Sequence, residues 1–411
     1  GPHVSGLAQA FTPLRLGPVT LRNRFIKSAT NEGMAKGGVP SAALVEHHRS
    51  MAAGGAALTT VAYCAVSPDG RTFEDQVLMD GPTQPHLRVL TEAVHREGGA
   101  VSAQLTHGGA FTFLPALATP RPLSASGGLN PPGVMVGRLR KAAMTRADMD
   151  AVADDFVTAA RRARAAGFDA VELHMGHGYL LSQFLSPAYN RRRDDYGGDA
   201  ARRARFPVEV LSRVLEAVGR DLAVICKLSV TEGHRRGAPI EDVITTTRAL
   251  ESAGAHLLVL SGGMNVEAPW AIFGSNMPAS AVTGSIDNPL IRFAVRVSRL
   301  MEPKIRFREL YLREYSRQVR AAVRMPLAYL GGAKSVDGVR HVMDDGFDAV
   351  VMGRALIHSP DLVHQFRDGR ATVSGCTACN QCVTSMYTAA GTHCTLQPPP
   401  DVALNRRPAA S

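Results

Sequence analysis

The sequence predicts a (β/α)₈ TIM barrel of the α/β class, and three of its features lead to this prediction. Eight short, nearly uncharged apolar runs recur along the chain, as in strands that crossover helices bury on both faces. Segments with helical signals separate these runs, and a glycine just before several of them supplies the turn from helix to strand. Eight such units over about 350 residues fit a barrel, which usually needs ~250 residues and tolerates insertions.

The strands are expected, in chain order, at Arg24–Ser28, Ala56–Ala62, Ala100–Leu105, Asp169–His174, Leu222–Leu228, His256–Ser261, Pro326–Leu330 and Asp348–Met352. Thr145 and Asp148 have the spacing of a capping box, so we expect a helix to begin there and to end before Gly167. The sequence contains neither G-x-G-x-x-G nor a P-loop motif, which argues against a Rossmann domain or a P-loop nucleotide site.

The composition is that of a globular protein with core enough for one large domain or two medium ones. The 411 residues include 45% hydrophobic residues, and 46 Lys+Arg against 36 Asp+Glu give a formal charge of +10. The densest basic run, Arg191–Arg193, is followed by Asp194 and Asp195 and has no aromatic stacking platform beside it. Local salt bridges are therefore expected, and no nucleic-acid partner is predicted.

Membrane and targeting segments are not expected. Residues 51–68 form the longest suggestive uncharged stretch, but its glycines predict a helix end, a turn and a buried strand. No secretory signal is visible, which leads us to expect a cytoplasmic location. Residues 1–3, Gly-Pro-His, resemble the scar of a cleaved tag.

We expect the barrel to span residues 8–370 and a cysteine-containing tail to span 371–411. Two insertions interrupt the barrel, at His107–Ala143 after the third strand and at Asn265–Ser316, which carries Trp270, after the sixth. In a barrel both would lie over the carboxyl-terminal mouth, where loops build the site.

The fourth strand ends in a group of hydrogen-bonding side chains. Alternation predicts that Glu172 and His174 share one face, opposite Val171 and Leu173, which should pack on helices. His174 would then enter the mouth, with His177 and Tyr179 just above it. Such a group can donate hydrogen bonds to a carbonyl oxygen and a proton to carbon. A zinc site is the competing interpretation of His-x-x-His, but no third ligand is evident nearby.

The ends of the last two strands suggest a phosphate site. Gly331 and Gly332 follow the seventh strand, and Gly353 and Arg354 follow the eighth, where barrels commonly bind phosphate. Gln104, at the end of the third strand, suits the edge of a pyrimidine-like ring. Lys227, at the end of the fifth strand, could stabilise an anionic reduced flavin. Ordinary turns and satisfied polar groups are the alternative interpretation of these residues.

The longest motif of the chain runs from His174 to Gly198 and reads HMGHGYLLSQFLSPAYNRRRDDYGG. It closely resembles the signature of the Old Yellow Enzyme family, the FMN-containing ene-reductases also called NADH:flavin oxidoreductases. Shorter blocks agree in order, at Leu21–Arg24, Gln104–Gly108, Gly331–Gly332 and Met352–Arg354. The resemblance covers roughly residues 8–370 and implies the same barrel fold.

The resemblance also implies roles for individual residues. Ala29, Thr30 and Asn31 would lie along the flavin, and Gln104 and Lys227 would contact its pyrimidine ring. The FMN phosphate would be held by Gly331, Gly332, Gly353 and Arg354.

For catalysis the resemblance implies a shared mouth for cofactor and substrate. NAD(P)H would bind transiently and reduce FMN, and an enone or enal would then replace it. His174 and His177 would bind the substrate carbonyl, and Tyr179 would protonate Cα while the hydride from flavin N5 adds to Cβ.

Four positions depart from the family pattern. Asn31 stands where Thr or Cys is usual beside the flavin, and Tyr63 replaces a small residue near the flavin at the end of the second strand. Ala110 replaces a frequent Arg, and Arg202 replaces a common Asn. These departures bear on redox tuning and substrate choice.

The tail contains four of the six cysteines, Cys376, Cys379, Cys382 and Cys394. Their spacing suits a [4Fe–4S] cluster better than tetrahedral zinc, and free or structural thiols are the third alternative. The segment is similar to the cluster-binding segment of the 2,4-dienoyl-CoA reductase and trimethylamine dehydrogenase group. Those relatives add a second nucleotide-binding domain, which we do not expect here. Cys64 and Cys226 are expected to be buried small hydrophobic residues.

Two other functions stay open from the sequence. One is an oxidative dehydrogenase or demethylase that passes electrons through a tail cluster to an external carrier. The other, from a different class, is a basic zinc-containing nucleic-acid-binding protein. Flavin absorbance would separate the flavoenzymes from the latter. A homo-oligomer is also compatible with the sequence.

Overall fold

Eight parallel strands close into a barrel in the computed structural model, which describes residues 6–278 and 288–410. The strands are β1 (Phe25–Lys27), β2 (Leu58–Ala65), β3 (Ala100–Thr106), β4 (Ala170–His174), β5 (Ala223–Ser229), β6 (Leu257–Ser261), β7 (Leu327–Leu330) and β8 (Ala349–Met352). Each pairs with its neighbour in chain order, and β8 pairs with β1 to complete the ring. The predicted fold class and all eight strands are confirmed, whereas residues 1–3 lie outside the described residues.

Helices cover the outside of the barrel. One helix that follows each strand is labelled in order: α1 (Ala42–Ala53), α2 (Gln84–Arg96), α3 (Arg146–Ala165), α4 (Arg205–Val218), α5 (Ile240–Ala253), α6 (Arg313–Ala322), α7 (Val336–Asp344) and α8 (Leu362–Asp368). Further helices are Gly6–Ala10, Leu180–Leu185, Ala200–Arg203, Pro269–Phe273, Pro289–Leu300, Arg354–His358, Gln381–Ser385 and Val402–Arg406.

Several short strands lie outside the ring. An antiparallel pair joins Leu14–Leu16 to Val19–Leu21, and another joins Ala35–Lys36 to Val39–Pro40. The first insertion forms a small sheet of Leu123–Ser124, Gly128–Leu129 and Arg140–Ala143. Val77–Leu78 pairs in parallel with the end of β2.

Two apolar cores stabilise this arrangement. Val171 and Leu173 face the helices and belong to the larger core, as the alternation predicts. Ala170 and Ile225 face inward and belong to a second core inside the barrel, which includes residues of the Leu14–Leu16 hairpin. Cys64 and Cys226 are fully buried, as expected. Apolar layers therefore fill the barrel interior, and the polar side chains at the strand ends gather above them.

The basic segments predicted to form local salt bridges do so. Arg192 pairs with Asp194, Arg205 with Asp195, and the buried Arg203 with Asp242. Among the helices of residues 6–278 and 288–410, none combines the length and apolar character needed to cross a bilayer.

The tail returns across the barrel mouth to α1. Thr392 donates from its backbone to Glu32 O (2.7 Å) and from its hydroxyl to Asn31 O (2.9 Å), so it binds the loop after β1. The helix Val402–Arg406 then packs against α1. The tail is thus part of the wall around the mouth.

A capping box begins α3, as predicted. The Thr145 hydroxyl accepts a hydrogen bond from Asp148 N (3.1 Å), and the Asp148 carboxylate accepts one from Thr145 N (2.8 Å). We expect Thr145→Ala to lower the free energy of unfolding by about 1 kcal/mol, because the backbone N–H of Asp148 loses its hydrogen-bond acceptor. Urea denaturation measures this change. Thr158→Ala, on an exposed face of the same helix, is the matched control, and an equal loss there would contradict the capping role.

Candidate active site

A cavity of about 700 Å³ opens at the carboxyl ends of the strands. The loop after β1, the turns after β7 and β8, and the second insertion contribute to its wall. Eight residues proposed from the sequence line it: Ala29, Thr30, His177, Lys227, Gly332, Gly353, Arg354 and Cys376. The closed barrel brings these residues together although they are far apart in the sequence.

Contacts within the protein hold the guanidinium of Arg354 in place at the cavity wall. Its guanidinium lies over the rings of Phe273 and Phe307, at 5.7 and 5.5 Å from their centroids. It also donates hydrogen bonds to Phe273 O and to Asn380 Oδ1, both at 2.7 Å. These contacts join the turn after β8 to the second insertion and to the tail, and they hold the guanidinium at the cavity wall.

Gly332 has a backbone conformation that excludes a side chain. Its φ is +77°, and a Cβ there would lie 2.9 Å from the rings of Phe307 and Tyr311. The neighbouring Gly331 accepts a hydrogen bond from the Tyr329 hydroxyl (2.9 Å) through its carbonyl oxygen. Glycine at this turn therefore lets the backbone pack directly against the aromatic side chains, with Gly332 at the cavity wall.

The three residues predicted at the end of β4 form one buried cluster. The His174 ring lies 4.5 Å from Tyr179 and 5.1 Å from His177, between centroids. Tyr63 packs edge-on against Tyr179 at 5.1 Å, and Phe111, from the first insertion, does so at 5.6 Å. His177 also lines the main cavity, so it connects the cluster to that cavity.

The protonation states in this cluster follow from burial. Desolvation, together with the neighbouring positive charge of Lys227, lowers the pKa of His174 and His177 well below the ordinary value, so both rings are neutral. His174 Nδ1 accepts a hydrogen bond from Gly176 N (3.3 Å), which leaves the ring proton on Nε2. Burial, with the adjacent Tyr63 hydroxyl, raises the pKa of Tyr179 well above its ordinary value. Tyr179 therefore keeps its proton at neutral pH.

Gln104 and Lys227 flank a buried carboxylate that the sequence analysis placed on the inner face but gave no function. Parallel register sets Gln104 beside Glu172 and His174 beside Lys227. The Gln104 amide donates to Glu172 Oε2 (2.8 Å), whereas its Oε1 is buried without a hydrogen-bond partner. Burial lowers the pKa of Lys227, and the negative charge of Glu172 opposes that shift.

The four positions that depart from the family pattern all lie outside the cavity lining. Asn31 forms a β-bridge with Ala62, and its carbonyl is bound by Thr392. Ala110 is buried and donates from its backbone to Gln183 Oε1 (3.2 Å). Arg202 is exposed on the helix Ala200–Arg203. The Tyr63 ring packs against the rings of His174 and Tyr179, and these contacts connect it to the site.

The four tail cysteines line one small pocket beside the main cavity. Arg354 and Cys376 line both spaces, so they form a shared wall. Burial raises the pKa of the Cys382 thiol to about 11, and its interactions with the three other cysteines are smaller contributions. Among the described residues, no three of these sulfurs lie within 4.8 Å of one another.

Sequence reasoning missed several residues that complete the site. Phe273, Phe307 and Tyr311 come from the second insertion and line the cavity near Arg354. Asn380 and Tyr387 come from the tail, and Tyr387 packs edge-on against Phe73 at 6.2 Å. Phe273, Phe307 and Tyr311 could have been suspected because they lie in an insertion that was expected to cover the mouth. No local sequence pattern distinguishes their side chains from those of ordinary loop residues.

Comparison with known proteins identifies the family. Residues 9–271 match the model of the NADH:flavin oxidoreductase / NADH oxidase family. The chain is 40% identical over 390 residues to the 4,4'-dithiodibutanoate disulfide reductase of Rhodococcus erythropolis, covering 94% of both chains.

Solved structures show the same fold. A 2-naphthoyl-CoA reductase complex gives a TM-score of 0.77 at 22% identity, covering 92% of this chain and 55% of that protein. This chain therefore spans about half the length of that reductase. An Old Yellow Enzyme homologue from Zymomonas mobilis gives 0.70 at 23% identity, covering 90% and 95%. With its barrel, its motifs and this family match, the chain belongs to the NADH:flavin oxidoreductase / NADH oxidase family, which includes Old Yellow Enzyme.

Proposed function

We propose that this protein binds FMN and uses electrons from NAD(P)H to reduce the C=C bond of an α,β-unsaturated carbonyl compound. The observation that carries the proposal is the buried cluster of His174, His177 and Tyr179 beside the main cavity. It combines a protonated phenol with neutral imidazoles, which are the groups that this reduction needs.

The residues around the cavity fit FMN. Arg354 is a held cation for the phosphate, and the backbone at Gly331, Gly332 and Gly353 allows close approach. The unpartnered Gln104 Oε1 can accept a hydrogen bond from the ring edge, and Lys227 can stabilise negative charge there. Ala29 and Thr30 would lie along the ring, with Asn31 and Tyr63 beyond them. Bound FMN would supply the hydride that adds to Cβ.

The side chains of this protein would activate the substrate and complete the reaction. His174 Nε2–H donates to the carbonyl oxygen, and His177, held by Ser261 Oγ at 2.8 Å, shares this role. Their hydrogen bonds draw electron density from Cβ and stabilise negative charge on oxygen. Tyr179 gives its proton to Cα, and a proton from solvent restores the phenol. Each turnover therefore consumes one NAD(P)H and one proton.

The tail cysteines Cys376, Cys379, Cys382 and Cys394 are proposed to bind a [4Fe–4S] cluster. A tetrahedral zinc site would hold its sulfurs roughly 3.8 Å apart, given Zn–S bonds of about 2.3 Å. The four thiols share a pocket, but among the described residues no three of their sulfurs lie within 4.8 Å of one another, so they do not form the compact set that zinc needs. Their shared wall with the main cavity would place the cluster beside the flavin.

Disulfide reduction is a second candidate function. The supporting observation is the relative named 4,4'-dithiodibutanoate disulfide reductase, which matches this chain along nearly all of its length. Two electrons from NAD(P)H and two protons would break the S–S bond and yield two thiols. An anaerobic absorption spectrum with flavin and iron quantification, followed by assays with an enone and with 4,4'-dithiodibutanoate, tests both candidates. A colourless protein without flavin would exclude both.

We expect Tyr179→Phe to slow enone reduction by roughly 10²–10⁴-fold, because the general acid is lost. Reduction of the flavin by NAD(P)H should stay close to the wild-type rate, since no substrate carbon is protonated in that step. Anaerobic stopped-flow absorbance measures the two half-reactions separately. Tyr315→Phe, at an exposed tyrosine on α6, is the matched control, and an equal loss of both half-reactions in Tyr179→Phe would refute the assignment.

We expect His174→Ala to weaken the binding of phenols to the oxidised flavoprotein roughly tenfold, because one buried hydrogen-bond donor is removed. Titration of the flavin absorption band with p-hydroxybenzaldehyde measures the dissociation constant. His95→Ala, at a half-exposed salt bridge with Asp169, is the control. An unchanged dissociation constant in His174→Ala would show that His174 does not contact the ligand.

We expect Cys379→Ser to remove the iron while FMN stays bound, because Cys379 lines the cysteine pocket but not the main cavity. Iron and flavin analysis of anaerobically purified protein measures both. Cys226→Ser, far from the tail, is the control and should retain the wild-type iron content. Wild-type protein without iron would contradict the cluster.

A further inference from the structure

A second group of metal-ligating side chains lies outside the proposed flavin site. Glu32, in the loop after β1, faces His47 and His48 on α1. One ligand atom from each of the three residues lies within 4.8 Å of the others. The two imidazole rings stand nearly perpendicular, with centroids 5.0 Å apart, and Glu32 Oε1 is 3.2 Å from His48 Nε2.

The polar atoms of this group lack hydrogen-bond partners. Both Glu32 carboxylate oxygens, His47 Nε2 and His48 Nε2 are buried without a hydrogen bond of normal geometry. Glu32 and His48 are almost completely buried, and the backbone N–H groups of Glu32 and Ala62 only lower the carboxyl pKa slightly. Leaving several such atoms unpaired costs a few kcal/mol in total, which a ligand between them would offset.

The nearby lysine does not fill this role. Lys27 Nζ donates to Ser28 O (2.7 Å) and to Thr30 Oγ1 (3.0 Å), and it lies 4.0 Å from Glu32 Oε1. Lys27 is therefore at the outer limit of an ion pair with Glu32, and its ammonium hydrogen bonds go to other groups.

The orientation of His48 and the access to His47 suit metal binding. His48 Nδ1 is hydrogen-bonded to Thr59 Oγ1 at 2.7 Å, which fixes the ring and aims Nε2 at Glu32. Metal-bound histidines usually have such a partner on the other ring nitrogen. Burial lowers the pKa of both imidazoles, so their lone pairs are free. His47 lines a surface groove between α1 and the tail, which gives an ion a route to the group.

We propose that Glu32, His47 and His48 bind one divalent first-row transition-metal ion. Two imidazoles and one carboxylate form the ligand set that zinc or ferrous iron takes, whereas magnesium and calcium prefer oxygen ligands throughout. The ion would tie α1 to the loop that carries Ala29, Thr30 and Asn31. It is separate from the cysteine pocket, which none of its three ligands lines.

Zn²⁺ binding to the full-length flavoprotein tests the proposal. Metal content after gel filtration and calorimetric titration with Zn²⁺ should show one site that survives in Cys379→Ser. Glu32→Gln and His47→Asn should each weaken this site by roughly tenfold or more, because each removes a ligand. Glu46→Gln, an exposed neighbour on α1, is the matched control and should bind Zn²⁺ like the wild type.

The other outcomes overturn the proposal. Zinc that disappears in Cys379→Ser but persists in Glu32→Gln belongs to the thiols. If neither the wild type nor any variant binds zinc, these three residues do not form a metal site, and a water molecule between Lys27 and Glu32 would account for the unpaired atoms. Because His47 borders the surface groove, His47→Asn gives the answer even if Glu32→Gln fails to fold, and flavin content reports folding in each variant.

Discussion

Ionisable side chains buried at the mouth of the barrel impose the main physical constraint on this structure. Lys27, Glu32, Glu172 and Lys227 are each at most 4% exposed. Such groups are stable only where opposite charges and oriented dipoles surround them. The parallel register supplies part of this compensation, because it sets Gln104 beside Glu172, and the negative charge of Glu172 opposes the desolvation of Lys227.

This constraint explains why the barrel was predictable from the sequence. Strands that are buried on both faces read as apolar runs, and the polar residue at the end of each run marks where the strand meets the mouth. His174, Lys227 and Arg354 were recognisable for that reason. Period-two alternation also separated Val171 and Leu173 from His174 correctly.

The remainder of the site depends on contacts between distant segments, which no local pattern encodes. Phe307 and Phe273 acquire a function only because the second insertion folds onto Arg354. The sequence around Asn380 suggests only a turn residue, whereas in the structure its amide oxygen accepts a hydrogen bond from the same guanidinium. Glu32 and His48 lie in a loop and a helix whose sequences carry no metal motif, and tertiary packing alone brings them together.

The contact of Thr392 with the loop after β1 has a consequence for how this protein can be shortened. Its two hydrogen bonds end on the carbonyl oxygens of Asn31 and Glu32, next to the residues that line the cavity. A truncation that spares every barrel strand but stops before Thr392 would leave those carbonyls unpaired. Crystallisation or fusion designs that trim the tail would therefore alter the loop at the cavity from outside the ring of strands.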